Sequence, residues 1–153
     1  MTIAGAAWAM ALAVLAAACA GGEGGSASAG PAVPTLAGTA WLAEDIDGGG
    51  VLDRVQTTVS FPAAGRITGS GGCNRYTGAV ELQGETIRTG ALAATRMACP
   101  PAVMQQESRF FEALAAAVRW RTTAEGKLLL LDVDGRTRVV FASTPPEAPP
   151  VSR

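Results

Sequence analysis

The chain has 153 residues, a formal net charge of −1 and no histidine. Without a cationic surplus there is little to neutralise a phosphate backbone, so no nucleic-acid partner is expected. The absence of histidine removes Ser-His-Asp and Cys-His catalysis and every imidazole metal ligand, and lysine occurs only at Lys127.

Residues 1–18 carry no charged side chain. The apolar run Trp8 to Ala18 has the length of a signal-peptide core and is too short to span a bilayer comfortably. It ends Leu15-Ala16-Ala17-Ala18-Cys19, which resembles a bacterial lipobox, with Ala16 where such motifs more often carry Leu. The expectation is a signal peptide over 1–18 and a lipidated Cys19 that anchors the protein to a membrane of the cell envelope without a transmembrane helix. Cleavage after Ala18 or Ala20 is the alternative and would give a soluble periplasmic or secreted product. Residues 19–35, rich in Gly, Ala, Ser and Pro, read as a lipidated, flexible linker.

A single domain is expected over 36–142. Thr39 to Ile46 reads as a strand running into the turn Asp47-Gly48-Gly49-Gly50. From Val55 to Phe61, the residues Val55, Thr57, Val59 and Phe61 share one face. Arg66 to Gly69 returns after Pro62-Ala63-Ala64-Gly65. Tyr76 to Leu82 alternates again, with Gly78 as a bulge or close-packing point. Thr86 to Arg88 runs back, and Ala91 to Met97 is a weaker strand.

The period then changes. Pro100-Pro101 suits a helix start, and Val103, Phe110, Leu114 and Val118 fall on one helical stripe that also carries Glu107. Arg119 to Thr123 is extended and carries Trp120. Lys127 to Val133 and Thr137 to Phe141 form a hairpin across Asp134-Gly135. Trp41 and Trp120 are expected core anchors. Residues 143–153 read as a disordered, Pro-rich tail. The fold class is mainly β, an antiparallel, barrel-like arrangement of short strands with one helix in the C-terminal third.

If Cys19 is consumed by lipidation or cleavage, Cys73 and Cys99 remain as an even pair in an oxidising compartment. A disulfide between them would close a loop of about 25 residues and contribute roughly 3 to 3.5 kcal/mol in the loop-entropy account. The other reading is a redox or metal pair, which would lack a CxxC, a histidine and an activating cation cluster. Asp45, Asp47 and Asp53 surround a Gly-rich turn but lack the ordered ligand pattern of an EF-hand, so they read as a polar loop rather than a calcium site. No carboxylate pair is placed across a cleft.

Trp41-Leu42, Val59-Ser60-Phe61, Gly65-Arg66-Ile67-Thr68-Gly69, Gly72-Cys73-Asn74-Arg75-Tyr76-Thr77-Gly78 and Thr95-Arg96-Met97-Ala98-Cys99, followed by Glu107, Phe111 and Leu114, come in an order that resembles the META/HslJ domain family. The resemblance covers nearly all of 36–141. It implies a β-rich, barrel-like fold with a single helix, a lipoprotein of the envelope, a link to stress, and no established catalytic activity. The expected function is therefore non-catalytic: a protein-interaction or stress-related envelope-support role with an envelope protein as partner. A barrel that binds an apolar small molecule is the alternative, and a carboxylate-dependent hydrolase a remote one. No cofactor, metal or catalytic residue is assigned. Asn74, Arg75 and Arg96, beside the two cysteines, form the candidate binding surface.

Overall fold

The computed structural model describes residues 35–63 and 65–144. The expected signal peptide, Cys19, nearly all of the linker and most of the tail lie outside the described residues. Eight strands and one helix follow in the order β1 (Thr39–Ile46), β2 (Thr58–Phe61), β3 (Arg66–Ser70), β4 (Arg75–Gln83), β5 (Thr86–Ala94), α1 (Pro101–Ala116), β6 (Arg119–Thr122), β7 (Leu128–Leu131) and β8 (Thr137–Thr144). Every strand pairs antiparallel with its sequence neighbour, and β1 also pairs with β8, so the sheet closes into a barrel. The mainly β, barrel-like class expected from the pattern is the one observed.

Period-two alternation puts one face of each strand inside. Val59 and Phe61 of β2, Ile67 of β3, Tyr76 and Val80 of β4, Leu128 and Leu130 of β7, and Val139 and Phe141 of β8 form one continuous core. Two bulges keep this pattern intact where the sequence breaks it. In β1 the register with β8 slips between Ala43 and Asp45. Trp41, Ala43 and Ile46 are therefore all buried, although strict alternation would have turned Asp45 inward. In β5 an extra residue sits opposite Ala79, so Leu92 rather than Ala91 faces Gly78. This bulge explains why the pattern reads as two strands, Thr86–Arg88 and Ala91–Met97, where the molecule has one continuous β5. The expected strand Val55–Phe61 is shorter at its start: the ladder with β3 ends at Thr58↔Ser70, Gly71 N–H turns to Asn74 O, and the Thr57 hydroxyl donates to Gly71 O.

Helix α1 starts on Pro100 and Pro101, where a missing N–H costs nothing, and ends as Ala117 turns extended into β6. Phe110, Ala113 and Leu114 are fully buried in the barrel core. Phe110 meets Tyr76 and Phe141 edge-on, with ring centroids 5.9 and 6.3 Å apart. Trp41 and Trp120 are core residues, as expected. The interior is filled by its own side chains, among them Phe61, Phe110, Trp120 and Phe141.

The ring is thinnest between β5 and β6. Their ladder is a single pair, Thr86↔Arg119, flanked by Ile87 N–H to Val118 O at 3.1 Å and Trp120 N–H to Glu85 O at 2.8 Å. From Arg88 to Ala94, β5 is paired on one side only.

Candidate functional site

Two features of the surface and near-surface stand out. The first is the turn between β3 and β4. Gly71 has no room for a side chain, since a Cβ would lie 2.7 Å from the Glu107 carboxylate and 2.9 Å from Phe111. Gly72 has a φ of +118°, a conformation that favours glycine. This chain path aims the next two amides at helix α1. Glu107 Oε2 accepts from Cys73 N–H at 3.1 Å and from Asn74 N–H at 2.6 Å, and Oε1 accepts from Asn74 Nδ2 at 2.7 Å. Asn74 Oδ1 in turn accepts from Thr95 Oγ1 and from Met97 N–H at 2.9 and 2.7 Å.

Beside Glu107, Gln106 does the same for another loop. Its Oε1 accepts from Leu52 N–H at 2.6 Å and its Nε2 donates to Thr57 Oγ1 at 3.0 Å. Both helix side chains are buried, and each of their polar head atoms has at least one of these partners, which is how buried polar groups are tolerated. Cys73 and Cys99 are joined by a disulfide with Cα atoms 6.0 Å apart, so the turn is fixed to the start of α1 covalently as well.

The candidate binding surface is thus split. Asn74 is only 3% exposed and all its side-chain atoms serve the network, so it offers nothing to a ligand. Arg75 and Arg96 are exposed and have no ion-pair partner among the described residues. Thr95 N–H donates to Arg75 O, which brings the two arginine-bearing segments side by side. Glu107 and Gln106 are the residues that matter most to this region and that pattern reading underrated. The available signal was a pair of polar residues next to and on an apolar helical stripe.

The aspartates of the first loop are occupied. Asp45 accepts from Gly48 N–H and Gly50 N–H at 2.7 Å each, and Asp47 pairs with Arg138. That pairing raises the affinity of Arg138 for its proton further. Asp132 accepts from the backbone of Asp134 and Arg136 and shapes the last hairpin.

The second feature is the free side of β5. Ile87 N–H points toward β6, so by antiparallel alternation Thr89 faces the same way. Thr95 N–H points to β4, so Ala94 and Leu92 present their backbone groups to the open side. Facing them, across a groove of about 300 Å³, are Phe111 and Ala115 of α1. The Oγ1 of Thr89 is buried there without a hydrogen-bond partner. Most of β5 beyond Arg88 consists of Gly, Ala and Leu, without a charge or proline to protect the edge.

A closed, eight-stranded antiparallel barrel crossed by one helix, with its turn clamped to that helix, defines the class. The family model described as META domain matches residues 34–145, and the chain belongs to that family. Two solved structures are similar. One is an NMR structure of a protein from Burkholderia xenovorans, with a TM-score of 0.57 and 24% identity, covering 71% of this chain and 83% of that one. The other is an NMR structure of a protein with a TM-score of 0.56 and 27% identity, covering 69% of this chain and 89% of that one. Neither is described by an activity. No curated protein matches the chain.

Proposed function

We propose that this chain is a non-catalytic protein-interaction module of the cell envelope, anchored to a membrane through a lipid on Cys19. It supports the envelope, in the stress-related manner the META/HslJ resemblance implies, by adding an extended strand of an envelope protein to β5. The observation that carries this reading is the free edge of β5 from Arg88 to Ala94. Unpaired strand N–H and C=O groups are satisfied by another extended backbone, and the adjacent groove formed with Phe111 and Ala115 suits small apolar side chains on alternate positions.

The other two readings find less support. A filled barrel gives an apolar ligand no interior chamber. The buried carboxylates among the described residues, Glu107 and Asp132, are taken up by backbone donors rather than held ready for acid–base work.

The test is photo-crosslinking in native cells from a probe at exposed Ala91, with a second probe at exposed Thr122 of β6 as control. The expected result is a recurrent envelope protein, attached through one extended segment, captured from Ala91 and not from Thr122. Ala94→Pro removes an N–H that faces the open side and should abolish the adduct while leaving the melting temperature unchanged. Equal capture from both positions, or an adduct that survives Ala94→Pro, would overturn the assignment.

A further inference from the structure

A separate concavity of about 420 Å³ lies on the outer face of β2, β3 and β4, within the range of about 300–1,000 Å³ typical of small-molecule sites. Gly69 is one of its lining residues. A Cβ there would lie 2.1 Å from Thr58 O and 2.9 Å from the Tyr76 hydroxyl. The missing side chain lets Tyr76 donate to Thr58 O at 2.9 Å, which holds β2 and β4 together across β3.

The rim is a grid of hydroxyls. Thr58 sits across from Ser70, Ser60 across from Thr68, and Ser70 across from Arg75. Neighbouring strands lie about 4.8 Å apart, and positions two apart on one strand are about 6.7 Å apart. A ligand with several hydroxyls along one edge can exchange hydrogen bonds with more than one of these side chains at once.

The grid is also polarised. Thr58 Oγ1 accepts from Ser70 N–H at 3.1 Å, and Ser70 Oγ accepts from Gly72 N–H at 3.2 Å. Each oxygen accepts one backbone N–H and has no acceptor for its own proton among the described residues, so both hydroxyls are free to donate to a ligand. Arg75, exposed and without an ion-pair partner among the described residues, lines the same hollow, and no acidic residue does. Convergent donors around a planar cation select an oxyanion, and Arg suits phosphate in particular.

We infer that this hollow binds a phosphorylated sugar. The phosphate is held by Arg75, Ser70 and Thr58, and the sugar hydroxyls lie along Ser60 and Thr68. The site is independent of the β5 edge, and either could be lost without the other.

The test is an NMR titration of the full chain with glucose 6-phosphate, with inorganic phosphate alone and glucose alone as comparisons. The expected result is saturable shifts of the Thr58, Ser60, Thr68, Ser70 and Arg75 amides with a Kd of about 1 mM or tighter. Each fragment alone should bind at least tenfold more weakly. Arg75→Gln, a substitution at an exposed side chain, should remove binding with an unchanged melting temperature, and Ser60→Ala with Thr68→Val should weaken the sugar phosphate toward the affinity of phosphate alone. Three outcomes would each overturn the site: no saturable shift, shifts confined to another surface, or undiminished binding by Arg75→Gln.

Discussion

Glu107 accepts from three donors of one turn, and none of those donors has another acceptor in view. A buried donor left without a partner costs about 1–3 kcal/mol. Glu107→Ala should therefore lower stability by about 3 kcal/mol or more, read from urea midpoints. Glu107→Gln should cost less, because only one of its two head atoms turns donor against Asn74 Nδ2. Tyr76 gives a pH test. It is the only tyrosine of the chain, and burial pushes its phenol above the ordinary value. The folded state then keeps the proton at pH values where the unfolded state releases it. The contribution is intact below about pH 10, and stability falls above it by up to about 1.36 kcal/mol per pH unit. Tyrosinate absorbance should rise together with loss of the fold and not before it, and Tyr76→Phe should flatten the alkaline decline. Residues such as Trp41 and Phe141 were legible from alternation alone. Asn74 was not, because a polar residue in a short turn looks the same whether it meets water or a carboxylate that arrives 33 positions later.

Among the elements, period and punctuation placed every strand and the helix to within a few residues. Irregularities were hidden. A bulge appears in the sequence as a lapse of alternation, so β5 read as two pieces and the inward turn of Ile46 could not be foreseen. The glycines separate into two kinds that sequence does not distinguish. Gly84 has a φ of +55° and open space around it, so Gly84→Ala costs only conformational strain, about 1–2 kcal/mol. Gly69 instead holds two strands together. Gly69→Ala drives a Cβ into the backbone of β2 and should cost about 3 kcal/mol, the upper end of overpacking, or prevent folding. Thermal melts of the two variants side by side would check the contrast. The open side of β5 was equally invisible, since it depends on where β6 stops pairing and not on the composition of β5.

For the molecule as a whole, the disulfide spans a separation of 26 residues and bridges the two ends of the β4–β5 hairpin and the turn above it. Loop entropy assigns it about 3.5 kcal/mol. Cys73→Ala should lower the unfolding free energy by up to that amount, and reduction of the wild-type protein should give the same loss. A larger loss from the mutation than from reduction would mean that the buried sulfur also contributes by packing.

The β1–β8 ladder decides when such a molecule can finish. Ala40 pairs with Thr144, at nearly opposite ends of the described chain. While the polypeptide is being made from its N-terminus, β1 waits for a partner that emerges last. Its neighbours up to β5 can assemble by local hairpins, but the ring closes only in a late, long-range step of the kind that slows folding. During that interval the edge of β1 is bare, and β2 is its only neighbour. A bare strand edge of this kind is a template for pairing with another chain, so the half-built stage is where association between copies competes with closure of the ring.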